Sequence, residues 1–331
     1  MKKVFLIVLL VFAMGSFTVY QASIAESASA KGDLVLVTKK VKSAPADVGS
    51  SQWNKAKESK IVLTGAGKFE GKNLEFKSKS IYTKNEIFFR FEWPDKDKSM
   101  NKNRWKFTGG KWNKIKANED RLGVLFEINR VNKLATKGCA VLCHNESKNE
   151  KEWYFAVNSS KEMADLWHWK AVRSNPVGYT EDGYVKDNPS KEPEKGRKRD
   201  AGSGTKAKSN RTKDKSKPAY MQDPSKPASI KGSLLVDEAV KITDAAAFNE
   251  GDEIPGYMLN AAWKDSFADV KTKGVWKNGK WTLMMSRKLK TGNDDDVQFN
   301  TRKKYPFATA VFDNSGGEHS YNSEPLKLEF K

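Results

Sequence analysis

The residues best equipped for chemistry stand in one short segment, Gly138-Cys139-Ala140-Val141-Leu142-Cys143-His144, which holds both cysteines of the chain and one of its three histidines. Two thiols beside an imidazole permit two readings. In one, the thiols add to the vinyl groups of a haem and the imidazole binds its iron, as at a C-x-x-C-H attachment site. The spacing here is C-x-x-x-C-H, one residue longer. In the other, Cys139 and Cys143 close a small disulfide loop, the usual fate of a lone cysteine pair in an oxidising compartment, and His144 is a surface residue. Spacing alone leaves both open.

Any further histidine chemistry must use His168 or His319. His168 stands between Trp167 and Trp169, a setting that suits a packed structural residue and also suits the wall of a cofactor pocket. His319 falls in a loop between the last two predicted strands. The chain has no G-x-S-x-G, no H-E-x-x-H and no phosphate-cradling glycine loop. Asp294-Asp295-Asp296 reads as a turn-forming acidic cluster rather than a calcium site. No catalytic machinery is expected.

The elements that must position these residues are mostly strands. Ile61 to Thr64, Leu74 to Tyr82, Glu86 to Trp93, Leu122 to Ile128, Tyr305 to Phe312 and Leu326 to Phe330 are rich in aromatic and β-branched residues. In Ile87 to Trp93, Phe89, Phe91 and Trp93 share one face and Arg90 and Glu92 the other. Val275-Trp276 and Trp281 to Met285 flank Asn278-Gly279, which suits a two-residue type I′ hairpin. Short strands with turn signals between them predict an antiparallel β-sandwich. One short helix is expected over Met163 to Ala171, with Ser159 or Ser160 as cap and Glu162 in its first turn. Lys186 to Lys217 is poor in apolar residues, and reads as a basic polar insertion, disordered or running over the surface.

The chain's context is read from its start and its charge. Lys2 and Lys3, the apolar run Val4 to Ala13, and Ala28-Ser29-Ala30 have the layout of a secretory leader. Cleavage after Ala30 is expected, leaving residues 31–331 as a single soluble domain outside the cytoplasm, most simply in a periplasm. No later stretch approaches the roughly 20 apolar residues of a membrane span. The net charge is +19, of which the leader supplies one. An exported protein does not meet nucleic acid, so the basic balance serves either solubility or the steering of an acidic redox partner.

Asp165-Leu166-Trp167-His168-Trp169-Lys170-Ala171, Gly178-Tyr179, Arg199-Asp200-Ala201-Gly202 and Ala308 to Gly316 together resemble the haem-binding domain related to the γ subunit of ethylbenzene dehydrogenase. The resemblance spans nearly all of 31–331. That family includes the haem subunits of dimethyl-sulfoxide-reductase-like molybdenum enzymes. It implies a sandwich akin to carbohydrate-binding modules and DOMON-type cytochrome domains, one haem near the sandwich end, and a molybdoenzyme or membrane oxidoreductase as partner. Those subunits hold haem b non-covalently between a methionine and a late lysine. Here His319 takes the late position. No methionine is clearly placed ahead of the Trp-His-Trp motif (Met163 is nearest), and the Cys139–His144 segment would replace it.

The resulting expectation is a periplasmic electron-transfer cytochrome, not itself an enzyme. One haem c would sit on Cys139 and Cys143, with His144 and His319 on the iron, His168 in reserve, and Trp167, His168 and Trp169 in the pocket. Haem b is the alternative cofactor. The alternative function is a haem-free carbohydrate-binding sandwich with a Cys139–Cys143 disulfide.

Overall fold

The structure, a computed structural model, describes residues 34–331 apart from 145–146, 148, 193–194, 203, 205, 244–246 and 262–264. The expected leader lies outside the described residues. Fourteen strands form the main sheet. In chain order they are β1 (Leu34–Lys40), β2 (Ser59–Gly65), β3 (Asn73–Tyr82), β4 (Glu86–Pro94), β5 (Arg121–Asn129), β6 (Met163–Lys170), β7 (Tyr179–Thr180), β8 (Gly183–Val185), β9 (Arg197–Arg199), β10 (Val270–Trp276), β11 (Lys280–Lys288), β12 (Lys304–Phe312), β13 (Ser320–Tyr321) and β14 (Leu326–Phe330). Their spatial order is β9-β8-β6-β5-β12-β13-β2-β3-β4-β11-β10-β7, and β1 and β14 pair with each other, with β3 and with β12. The fold is mainly β, an antiparallel sandwich whose sheet curls back over its own face.

Alternation builds the core. Phe89, Phe91 and Trp93 of β4 are fully buried and face Met285, Leu283 and Trp281 in register on β11. Across the sandwich Phe89 meets Trp167 at 5.7 Å and Trp93 meets Trp169 at 5.9 Å, both edge to face. The β10–β11 hairpin closes over Asn278 and Gly279, whose φ values of 53° and 72° are those of a type I′ turn.

One expectation is corrected. Met163 to Lys170 is a strand, not a helix. It lies between β5 and β8, antiparallel to both. Both its faces are buried, so it lacks the polar-apolar alternation that marks a half-exposed strand. The α-helical turns among the described residues are α1 (Leu134–Lys137) and α2 (Ala140–Cys143). The basic insertion runs over the surface and is tied down by pairing. Arg197–Arg199 pairs with β8, and Lys208–Ser209 pairs with Tyr257–Leu259. No described helix is long and apolar enough to cross a membrane.

Candidate functional site

Three neighbouring strands make the floor of a cavity of about 570 Å³. Residues two apart on a strand share a face, and the registers align them in rows. Leu166, Leu125 and Ala308 form the first row, His168, Gly123 and Ala310 the second, and Lys170, Arg121 and Phe312 the third. The floor therefore passes from apolar to charged, with small residues at its centre leaving room. The volume lies within the range of about 300–1,000 Å³ found for small-molecule sites.

The two helical turns cover one side of this floor. Gly138 links them with φ 60°, and a Cβ there would meet the Asn322 side chain at 2.4 Å. Only glycine fits that approach. The Cys139 amide then donates to the Asn322 carbonyl, which fixes where α2 begins. Residues four apart on a helix share a side, so the extra residue in C-x-x-x-C brings the thiols together. Their sulfurs are 2.9 Å apart and unbonded, and both line the cavity. His319 joins them, since the sulfurs and a His319 nitrogen lie within 4.8 Å of one another.

His144 leaves the end of α2 and packs outside the cavity lining. Its ring stacks on His319 at 5.0 Å and on Trp153 at 4.2 Å, and meets Tyr321 edge-on at 4.4 Å. His168 rises from the middle of the floor, 5.8 Å from Phe312, whose ring also lies 4.7 Å from His319. All three imidazoles are buried, and each has an Nε2 with no hydrogen-bond partner among the described residues. The His319 Nδ1 lies 2.6 Å from the Gly317 carbonyl. A carbonyl only accepts, so the proton belongs on Nδ1 and the Nε2 lone pair is available.

Burial, then His319 beside it, pushes the His144 imidazole down to about 3. Burial, with Arg197 and Lys170 adding, holds His168 well below its ordinary value. Both are neutral at pH 7, the form that binds a metal. The hydrogen bond between the two thiols, against burial, is the largest cause of a Cys139 thiol brought down to about 6. A thiol so lowered is largely the nucleophilic thiolate at neutral pH.

The structure thus gathers Cys139, Cys143, His144 and His319, with His168 on the same cavity. It separates Trp167 and Trp169 from them. These face the opposite side of β6 and belong to the sandwich core, against Phe89, Phe126, Trp93 and Trp281. Strand alternation is the reason: a residue cannot share a face with its immediate neighbour. What sequence reasoning missed is the cationic wall of Lys102, Arg121, Lys170, Arg173, Arg197 and Arg199.

A profile of the ethylbenzene dehydrogenase family matches residues 50–324. The chain belongs to that family. Among solved structures, a candidate carbohydrate-binding protein of Bacteroides uniformis ATCC 8492 aligns at 9% identity and TM-score 0.37, covering 91% of this chain and all of that one. A family 9 carbohydrate-binding module of Caldicellulosiruptor kristjanssonii in complex with glucose aligns at 8% identity and TM-score 0.35, covering 90% and 96%. Those scores are too low to carry an argument. No curated protein matches the chain.

This member of the ethylbenzene dehydrogenase family has a donor set that fits a haem. The apolar end and small central residues of the floor leave room for a flat macrocycle, imidazole nitrogens unpartnered among the described residues suit iron, and paired thiols suit thioether attachment.

Proposed function

We propose that the chain is an exported, periplasmic c-type cytochrome that passes electrons, alone or as the haem subunit of a molybdoenzyme or other oxidoreductase. The observation that carries this reading is the convergence on one cavity of two thiols that form no disulfide and the His168 and His319 imidazoles, with His144 stacked on His319 just behind its lining. Cys139 and Cys143 would hold the haem covalently. His144 and His319 would bind its iron, their rings parting from the present 5.0 Å contact, and His168 is the alternative second ligand because it already faces the cavity. Bound haem supplies one-electron redox chemistry. With both histidines holding the iron, no position would remain open for substrate, which would suit a carrier rather than a catalyst.

Expression with a cytochrome c maturation system tests the attachment. The intact mass should exceed that of the processed polypeptide by one haem. A mass two hydrogens below the bare chain would indicate the disulfide and the haem-free carbohydrate-binding alternative. In the loaded protein, His319→Ala should convert a low-spin spectrum to a high-spin or water-ligated one and open the iron to carbon monoxide, whereas His168→Ala should leave the spin state intact. The reverse pattern would move the second ligand to His168.

A further inference from the structure

Six cationic residues line the cavity, and among its described lining residues none is acidic. Their counter-charges sit behind the wall. Glu119 is fully buried, pairs with Arg173 and Arg121, and accepts the backbone amides of Val172 and Arg173. Glu181 pairs with Lys170 and Arg197. Among the described residues, four guanidiniums and two lysines face these two carboxylates, and burial holds the Lys170 ammonium well below its ordinary value, so the guanidiniums alone outnumber the carboxylates two to one. Arg121 is 6% exposed, and its Nε has no hydrogen-bond partner among the described residues.

The crowding shows in the titration of the neighbours. Burial, then Arg121 and Arg173, pushes the Lys102 ammonium down to about 8. Burial alone would raise Glu181, but Lys170, Arg197 and Arg173 outweigh it and hold its carboxyl at about 2. Gathering like charges in a partly buried wall is costly unless an anion joins them.

The wall is also built in place. Arg197 and Arg199 project to one side of β9, as residues two apart must. The backbone holding them passes so close to its neighbours that a Cβ at Gly196 would meet the Phe155 carbonyl at 2.3 Å, and one at Gly183 the Lys198 carbonyl at 2.4 Å. The basic insertion therefore delivers two guanidiniums to a defined position. The thiols and His319 lie at the β12–β13 side, and Lys170 stands on β6. From β13 to β6 is three strand spacings, about 14 Å.

We infer that this wall is a carboxylate clamp, and that Arg121, Arg173 and Lys102, with Arg197 and Arg199 of the insertion, bind the two propionates of the haem while its vinyl edge points to Cys139 and Cys143. The inference rests on the proposed haem function and adds to it the orientation of the ligand. Arginine matches a carboxylate with two parallel donors and stays charged at every accessible pH, so the clamp selects the acid form of the porphyrin. The cavity is cationic at one end and thiol-bearing at the other, which matches the propionates and the vinyl groups on the edge of protohaem.

Equilibrium titration of the full-length Cys139→Ser, Cys143→Ser chain, in which attachment is blocked, separates the two ideas. Haemin and haemin dimethyl ester are the probes, read by the Soret band. Haemin should bind at least tenfold tighter than the ester, and Arg121→Gln with Arg173→Gln should weaken haemin at least tenfold and erase the preference. The comparison of acid and ester uses an intact wall, so a variant that fails to fold leaves that readout standing. If acid and ester bind equally, the clamp is refuted and the haem site survives. If neither binds, the haem reading falls and the clamp with it.

Discussion

The two faces of β6 carry two buried charge clusters of opposite kind. On the cavity face, Lys170 joins Arg121, Arg173 and Arg197 around Glu119 and Glu181. On the core face, Asp165 joins Asp182 and Asp296 around the single guanidinium of Arg287 at 2.7–2.8 Å, with all four side chains fully buried. The Val297 carbonyl accepts a further Arg287 hydrogen, and the Trp167 ring covers the guanidinium at 4.8 Å. One cluster has too many cations and borders an open cavity, and the other has too many acids and is closed. Carboxylates can discharge themselves by taking up protons, whereas a guanidinium cannot lose one. Burial, then neighbouring carboxylates, raises Asp182 well above its ordinary range and Asp200 to about 8. The acidic cluster can thus relax without a ligand. In the cationic wall only Lys102, pushed down to about 8, and Lys170, held well below its ordinary value chiefly by burial, can shed a proton; the four arginines have no such route, and an anion is what they lack.

The largest effect that can break this contrast is at Arg287. Replacing it with Met keeps the side-chain volume but leaves three buried carboxylates facing one another. Removing one partner of a buried ion network costs about 3–5 kcal/mol. Urea unfolding should show a loss of that size. A loss under about 1 kcal/mol would mean that the carboxylates discharge completely by protonation, and that Arg287 is no anchor.

A smaller effect is a slope with pH. Asp200 holds its proton up to about 8, chiefly through burial and then Asp295, and Asp269 up to about 6, chiefly through burial. In the unfolded chain both release it near 4. Between those values the folded state carries the extra protons, so stability is greatest below about pH 4 for these groups and falls as pH rises toward 8, by up to about 1.4 kcal/mol per unit for each proton. Glu181 runs the other way. Its folded value of about 2 contributes stability above the unfolded value, and that is lost as pH falls from about 4.5 toward 2. Chemical denaturation across pH 4–9 should therefore show stability declining from about pH 4 to about pH 8, and Asp200→Asn should flatten that decline. An unchanged slope in that variant would place the extra protons elsewhere.

Much of this was legible because it is local. The Asn278-Gly279 hairpin, the alternation of β4 and the limits of β14 depend on neighbours in sequence, and they were read correctly. The meeting of Cys139, Cys143 and His319 was expected from the family pattern, since no local rule joins residues 180 apart. β6 was misread because a strand buried on both faces, carrying Asp165, His168 and Lys170 among tryptophans, shows neither period cleanly. Asp294-Asp295-Asp296 does form a turn, but its last member is a buried partner of Arg287, which no turn signal reveals. The cationic wall was hidden by abundance. The chain has 60 lysines and arginines, and nothing local marks the six that face inward from segments as distant as Lys102 and Arg199.

The smallest effect is the one that sharpens the comparison most. Arg121 is as buried as many core residues, and ordinary reasoning predicts a clear loss when a buried charge is removed. The wall's excess of charge predicts otherwise. Arg121 donates to the Gly316 carbonyl and to Asn118, and stands 3.8 Å from a Glu119 oxygen that Arg173 already binds. Glutamine at 121 keeps a donor and removes one of several mutually repelling cations. The haem-free Arg121→Gln chain should therefore unfold within about 1 kcal/mol of the parent, and added salt, which screens repulsion, should stabilise the parent more than the variant. A loss of several kcal/mol, with equal salt responses, would show that Arg121 is held by its partners as firmly as Arg287 is, and the two faces of β6 would then be alike.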